Sequence, residues 1–186
     1  MKKLMIIAAM MVATLSASAQ EAGQMYIKPM VGGTLTTITG DHTDDNKMKV
    51  GLIAGAEFGY DLTDQMAVTA GLLYSMQGCA SKDTDVKEKL EYLNIPVTFN
   101  YYVIPGLAIK AGIQPGILMS AKSGDYDMKD HCKSLDISIP LGASYEFNGF
   151  VVDARYNLGV SKINDKGDYS QKNSVIMLTV GYKIPF

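Results

Sequence analysis

The stretch Met48-Lys-Val-Gly-Leu-Ile-Ala-Gly-Ala-Glu-Phe-Gly-Tyr60 alternates between apolar residues and residues that are mostly small or charged. Because successive side chains of a β-strand point to opposite faces, a period of two indicates a strand with one apolar face. Met48, Leu52 and Phe58 lie on the apolar face, whereas Lys49 and Glu57 lie on the other. The same alternation recurs up to the last residue, so we expect an all-β chain.

The N-terminal residues have the three parts of a secretory signal peptide. Lys2 and Lys3 precede an apolar run from Leu4 to Ala13, and small residues follow at Ala17-Ser18-Ala19. The apolar run is shorter than the roughly 20 residues that a membrane-spanning helix needs. We therefore expect cleavage after Ala19, so that residues 1–19 are a signal peptide and residues 20–186 form a single domain.

Eight segments alternate in this way, and each has at least the roughly 9 residues that a tilted strand needs to cross a bilayer. The predicted strands are residues 25–38, 48–60, 66–77, 92–103, 107–121, 135–147, 150–160 and 175–186. Long polar connections at 40–47, 78–91, 122–134 and 161–173 alternate with short turns at 61–65, 104–106 and 148–149. This organisation predicts an eight-stranded antiparallel up-and-down transmembrane β-barrel in the outer membrane of a Gram-negative bacterium, with extracellular long loops.

Aromatic residues cluster near the predicted short turns, which is typical of a girdle at one membrane interface. The residues expected in this girdle are Phe58, Tyr60, Tyr101, Tyr102, Tyr145, Phe147, Phe150, Tyr182 and Phe186. Tyr74 and Tyr92 are expected at the opposite interface. The alternative is a soluble barrel with its apolar face inward, in which the glycines would face water.

The face opposite the apolar one carries charges of both signs. The charges expected inside the barrel are Lys28, Lys49, Glu57, Lys110, Asp136, Glu146, Asp153, Arg155 and Lys183. Enclosed charges are tolerated when they are paired, and eight strands leave an interior that side chains can fill. We therefore expect a filled lumen crossed by ion pairs. A narrow conducting path is the alternative, although the near balance of charges indicates no ion preference.

The chain contains two cysteines, Cys79 and Cys132, and both fall in predicted extracellular loops. Because an exported protein folds in an oxidising compartment, we expect a disulfide between them. Free or intermolecular thiols are the alternative. Two cysteines without a CxxC motif do not make a zinc site.

Catalytic and metal-binding signals are weak. His42 and His131 each follow an aspartate, but no serine or cysteine nucleophile motif accompanies them. The acidic cluster around Asp44 lacks the spacing and the bidentate glutamate of a calcium loop. We therefore predict no enzyme activity, no cofactor and no metal. The formal net charge of −2 also argues against nucleic acid as a partner.

Several short motifs resemble the PorT-like outer-membrane β-barrel family, in the same order along the chain. The similar segments are Gly71-Leu-Leu-Tyr-Ser-Met-Gln-Gly78, Tyr92-Leu-Asn-Ile-Pro-Val-Thr-Phe-Asn-Tyr-Tyr102, Gly112-Ile-Gln-Pro-Gly116, Gly142-Ala-Ser-Tyr-Glu-Phe147 and Asp153-Ala-Arg-Tyr-Asn-Leu-Gly159. The resemblance implies an integral outer-membrane barrel surrounded by outer-membrane lipid. Tyr182, Ile184 and Phe186 resemble the C-terminal signal that the barrel-assembly machinery reads during biogenesis.

These features predict a non-enzymatic membrane anchor or interaction scaffold that presents extracellular loops, to a partner that the sequence does not identify. The first alternative is a small pore or a component of a transport or secretion complex. The second alternative is an outer-membrane enzyme that acts on lipid or peptide.

Overall fold

The computed structural model describes residues 22–40, 46–81, 88–123, 126–127, 133–161 and 171–186. The predicted signal peptide, His42, His131 and Cys132 lie outside these residues. The backbone of Cys79 is described, but its side chain is not. The predicted disulfide therefore lies outside the described part of the chain.

The described residues form a closed, antiparallel, eight-stranded barrel. The first four barrel strands are Met25–Gly40, Asn46–Thr63, Met66–Gln77 and the interrupted pair Glu88–Asn94 and Val97–Ile104. The last four are Leu107–Ser123, Leu135–Phe147, Phe150–Gly159 and Gln171–Tyr182. Cys79–Ser81 and Ile184–Pro185 continue the third and eighth strands, and Tyr126–Asp127 pairs with the end of the fifth.

The barrel closes where the first strand pairs with the eighth. Their ladder runs from Met30 opposite Gly181 to Gly40 opposite Gln171, and Ile27 pairs with Ile184 nearer the short turns. Every other barrel strand pairs with its neighbours in sequence. Closure leaves no sheet edge, and this is how a β-structure satisfies its backbone hydrogen bonds in lipid. The predicted fold class is confirmed.

Both predicted ends of the connection at 78–91 are wrong, because residues at each end belong to strands. Cys79–Ser81 pairs with the start of the second strand, and Glu88–Asn94 belongs to the fourth. Where a strand extends beyond the membrane, its side chains are polar because they contact water. The sequence there resembles a loop even though the backbone remains a strand. The fourth strand also breaks at Ile95–Pro96, since proline has no N–H to donate to a ladder.

The apolar face points outward. Leu52 is 63% exposed, Val97 is 41% exposed and Ile113 is 53% exposed, whereas Glu57 is fully buried in the lumen. Outward apolar side chains recur on all eight strands, so the soluble, inverted alternative is wrong. No helix among the described residues is long and apolar enough to cross a membrane.

The lumen holds large aromatic side chains as well as charges, as the alternation of the fourth strand predicts for Tyr102. Tyr92 and Tyr102, which were expected in the girdles, point inward and are buried. Inward glycines help to make room for such side chains. A Cβ atom on Gly59 would lie 2.0 Å from the ring of Tyr26 on the neighbouring strand, and one on Gly55 would lie 2.9 Å from the Leu73 side chain.

Candidate functional site: the charged lumen

Five charged side chains from four strands meet inside the barrel, on the short-turn side of its middle. Lys28 comes from the first strand, Glu57 from the second, Lys110 from the fifth, and Asp153 and Arg155 from the seventh. All five are buried. They meet because each occupies an inward position of its strand, and closure of the barrel brings distant strands face to face. We call these five residues the central cluster.

Arg155 connects the two carboxylates of the central cluster. Its Nε and Nη2 donate to Oδ1 and Oδ2 of Asp153 at 2.7 and 2.8 Å. Its Nη1 lies 2.5 Å from Oε1 of Glu57. The planar guanidinium suits this arrangement, since it presents donors in a fixed fork that matches a carboxylate. Residues 153 and 155 share a face because they are two positions apart on one strand.

Two lysines complete the central cluster. Nζ of Lys28 lies 2.8 Å from Oε2 of Glu57 and 3.7 Å from Oδ2 of Asp153. Nζ of Lys110 donates to the same Asp153 oxygen at 2.5 Å. These ion pairs join the first, second, fifth and seventh strands across the lumen. Each buried charge therefore has an opposite charge in contact, which is the condition under which charges persist in a low-dielectric interior.

A second group lies closer to the short turns and centres on Lys183. Nζ of Lys183 is 3.1 Å from Oδ2 of Asp61 and 3.6 Å from Oε2 of Glu146. It also lies 4.2 Å from the centre of the Tyr26 ring, within the range of a cation–π interaction. Lys183 falls between Tyr182 and Ile184, where the eighth strand is interrupted. Its ammonium thereby connects the end of the chain to the first, second and sixth strands.

The charges of the two groups balance. Four cations, Lys28, Lys110, Arg155 and Lys183, contact four carboxylates, Glu57, Asp61, Glu146 and Asp153. A cavity of about 10 Å³ lies between the groups, beside Asn100 and Ser144. This volume suits about one water molecule. This cavity therefore offers no room for an organic substrate.

Apolar and polar layers fill the lumen on the loop side of the central cluster. Met30, Ile53, Leu73 and Met177 form a buried apolar cluster. Next to it, Nδ2 of Asn94 and Nε2 of Gln77 donate to the Ser75 hydroxyl at 2.7 and 2.8 Å. A second apolar cluster, of Ile38, Leu90, Tyr92, Leu118 and Ala121, lies nearer the loops.

Other residues expected at sites lie elsewhere. Nζ of Lys49 donates to the Gln77 carbonyl at 2.7 Å, near the loop side. Asp136 lies at the loop-side end of the sixth strand and contacts Ser161 and Asn173. The three residues of the expected assembly signal, Tyr182, Ile184 and Phe186, are exposed on the outer face. Phe186 packs near Phe58 with ring centres 6.1 Å apart, and Tyr182 packs against Phe150 at 5.0 Å.

Sequence reasoning missed Asp61 as a lumen residue. The sequence predicts a short turn at 61–65, but the second strand extends to Thr63 and Asp61 is buried. The signal was present, since Asp61 continues the two-residue spacing of the inward positions Glu57 and Gly59. Within the described ranges, no three His, Cys, Asp or Glu side chains are grouped so as to hold a metal ion.

The chain is similar in fold to several solved outer-membrane proteins. Ail, the attachment invasion locus protein of Yersinia pestis, is 16% identical, with a TM-score of 0.53 over 88% of this chain and 99% of that one. Neisserial surface protein A is 14% identical, with a TM-score of 0.55 over 87% and 97%. OprG of Pseudomonas aeruginosa is 17% identical, with a TM-score of 0.50 over 91% and 99%. At these identities the likeness extends to the fold alone.

No curated relative matches the chain. The family model described as the outer membrane protein beta-barrel domain matches residues 18–165, which is most of the chain. Its members and the structural neighbours are proteins of the Gram-negative outer membrane. The chain therefore belongs to the outer membrane protein beta-barrel domain family and is an outer-membrane protein of the Gram-negative type.

Proposed function

We propose that the protein is a non-enzymatic outer-membrane anchor that presents its long extracellular connections to a partner. The observation that carries the proposal is the filled lumen. The ion pairs of the central cluster cross the barrel. The buried apolar cluster of Met30, Ile53, Leu73 and Met177 packs on its loop side. A barrel filled in this way is a rigid support, so recognition is left to the loops, where barrels commonly carry it.

The filled lumen also argues against the two other functions. A pore needs a continuous aqueous path, whereas the described lumen alternates buried apolar layers with paired charges. An enzyme needs a cleft that binds a substrate beside its reactive groups, whereas the cavity near Lys110 accommodates about one water. His42 and His131 were the candidate catalytic residues, and they lie outside the described residues.

Finer parts of the proposal rest on the sequence. The sequence motifs favour membership of the PorT-like branch of the family. Residues 1–19 would be removed as a signal peptide on export. A disulfide between Cys79 and Cys132 would join the second and third long connections. During biogenesis the barrel-assembly machinery would read the C-terminal strand up to Phe186, and in the membrane the apolar outer face would contact outer-membrane lipid.

Planar-bilayer recording tests the proposal. We expect the purified, refolded protein to produce no discrete current steps above those of the bare bilayer, because the lumen is closed by side chains. A shift in gel mobility between boiled and unboiled samples serves as the control that the barrel has folded. Reproducible single-channel steps that scale with salt concentration would contradict the proposal and favour the pore.

A further inference from the structure

The carboxylate of Asp136 is buried at the loop-side end of the barrel, and its hydrogen-bond partners are neutral side chains rather than charged ones. Asp136, the second residue of the sixth strand, is 6% exposed. Within the described ranges it forms no ion pair, and its two oxygens accept hydrogen bonds from neutral side chains. Ser161 Oγ donates to Oδ1 at 2.6 Å, and Asn173 Nδ2 donates to Oδ2 at 2.9 Å.

These two donors lie on either side of the fourth long connection. Ser161 follows the end of the seventh strand, and Asn173 is the third residue of the eighth. The sixth strand also holds Ser161 directly, because the Ile137 N–H donates to Ser161 Oγ at 2.7 Å. The N–H groups of Val160 and Ser161 donate in turn to the Ile137 carbonyl at 2.9 and 3.3 Å. Both ends of the connection are therefore bound at one point of the sixth strand.

We propose that Asp136, Ser161 and Asn173 form a clasp that fixes the base of the fourth extracellular connection and so sets how this connection is presented to a partner. The inference rests on the proposed function, in which the loops carry recognition. Asp136 is a positioning residue in this account. Hydrogen bonds to an ionised acceptor are stronger than those between neutral groups and require defined geometry. One carboxylate can therefore hold both ends of the connection in a single arrangement.

Limited proteolysis tests the clasp. Trypsin cleaves after lysine, and the fourth connection contains Lys162 and Lys166. Cleavage of a transiently opened segment follows the population of its open form when opening is fast. In intact cells or outward-facing vesicles, we expect Asp136→Asn to raise the cleavage rate at these lysines about tenfold, because the variant loses the charged acceptor. The sites at Lys82 and Lys87, in the second connection, should be cleaved at the wild-type rate.

Two variants complete the design. Asp64→Asn makes the same chemical change in an exposed short turn and should leave all cleavage rates unchanged. Ser161→Ala removes one donor and should raise cleavage of the fourth connection several-fold, so the test holds even if Asp136→Asn does not fold. Unchanged cleavage at Lys162 and Lys166, or an equal rise in both connections, would overturn the clasp. Channel activity of the wild-type protein would overturn the proposed function but not this result.

Discussion

Replacing Arg155 with leucine is expected to destabilise the folded barrel by about 3–5 kcal/mol, the range for removing one partner of a buried ion pair. Arg155 contacts both carboxylates of the central cluster, and its side chain is fully buried. In the variant, the remaining cations in contact with Glu57 and Asp153 within the central cluster are Lys28 and Lys110. The two lysines match the two carboxylates in number but lack the guanidinium fork that binds both oxygens of Asp153. Oδ1 of Asp153 and Oε1 of Glu57 therefore lose their contacts with Arg155 inside the buried lumen.

Reversible urea unfolding in lipid vesicles measures this effect as a change in the free energy of unfolding. Arg155→Lys should lower the free energy of unfolding less than Arg155→Leu does, because lysine keeps the positive charge although it lacks the guanidinium fork. Lys89→Met removes a charge from an exposed position and should change stability by no more than about 0.5 kcal/mol. A loss below about 1 kcal/mol for Arg155→Leu would contradict the ion-pair account.

Placing an arginine on the outer face, at Val97, is expected to cost about 2–4 kcal/mol, the range for a charged residue near the middle of a bilayer. Val97 is exposed, yet in this account its surroundings are hydrocarbon and offer no partner for a charge. The same unfolding measurement would detect the loss, with wild-type protein in the same lipid as the reference.

Val103→Arg is the matched control, since Val103 is also an exposed valine of the fourth strand but lies beside its short turn. Near an interface the long side chain reaches water, so its cost should fall to about 0–1 kcal/mol. Equal costs at the two positions would contradict a membrane-spanning fourth strand.

The period of two decides most of the fold. Once Met48–Tyr60 is assigned to a strand with an apolar outer face, the inward positions of charges such as Glu57 and Lys110 follow by counting. Strand ends are harder to place, because strands that extend into water carry polar residues such as Glu88 and resemble loops. Asp61 also resembles a turn residue because it is polar, although its side chain is buried in the lumen beside Lys183.

Contacts within the lumen could not be predicted from alternation. That Arg155 contacts Glu57 while Lys183 contacts Asp61 depends on the stagger of all eight strands around the barrel, which no single strand encodes. Alternation therefore identifies the face of a side chain, whereas closure of the barrel determines its partners.

Quenching of a single introduced tryptophan tests most directly whether the apolar face meets lipid, because the chain contains no tryptophan of its own. Leu52→Trp, Val97→Trp and Ile113→Trp, each prepared separately, should be quenched by brominated lipid and protected from aqueous acrylamide. Asp64→Trp, in a short turn, should behave in the opposite way. Fluorescence at residues 52, 97 and 113 that brominated lipid leaves unchanged would contradict the orientation of every strand and, with it, the membrane barrel.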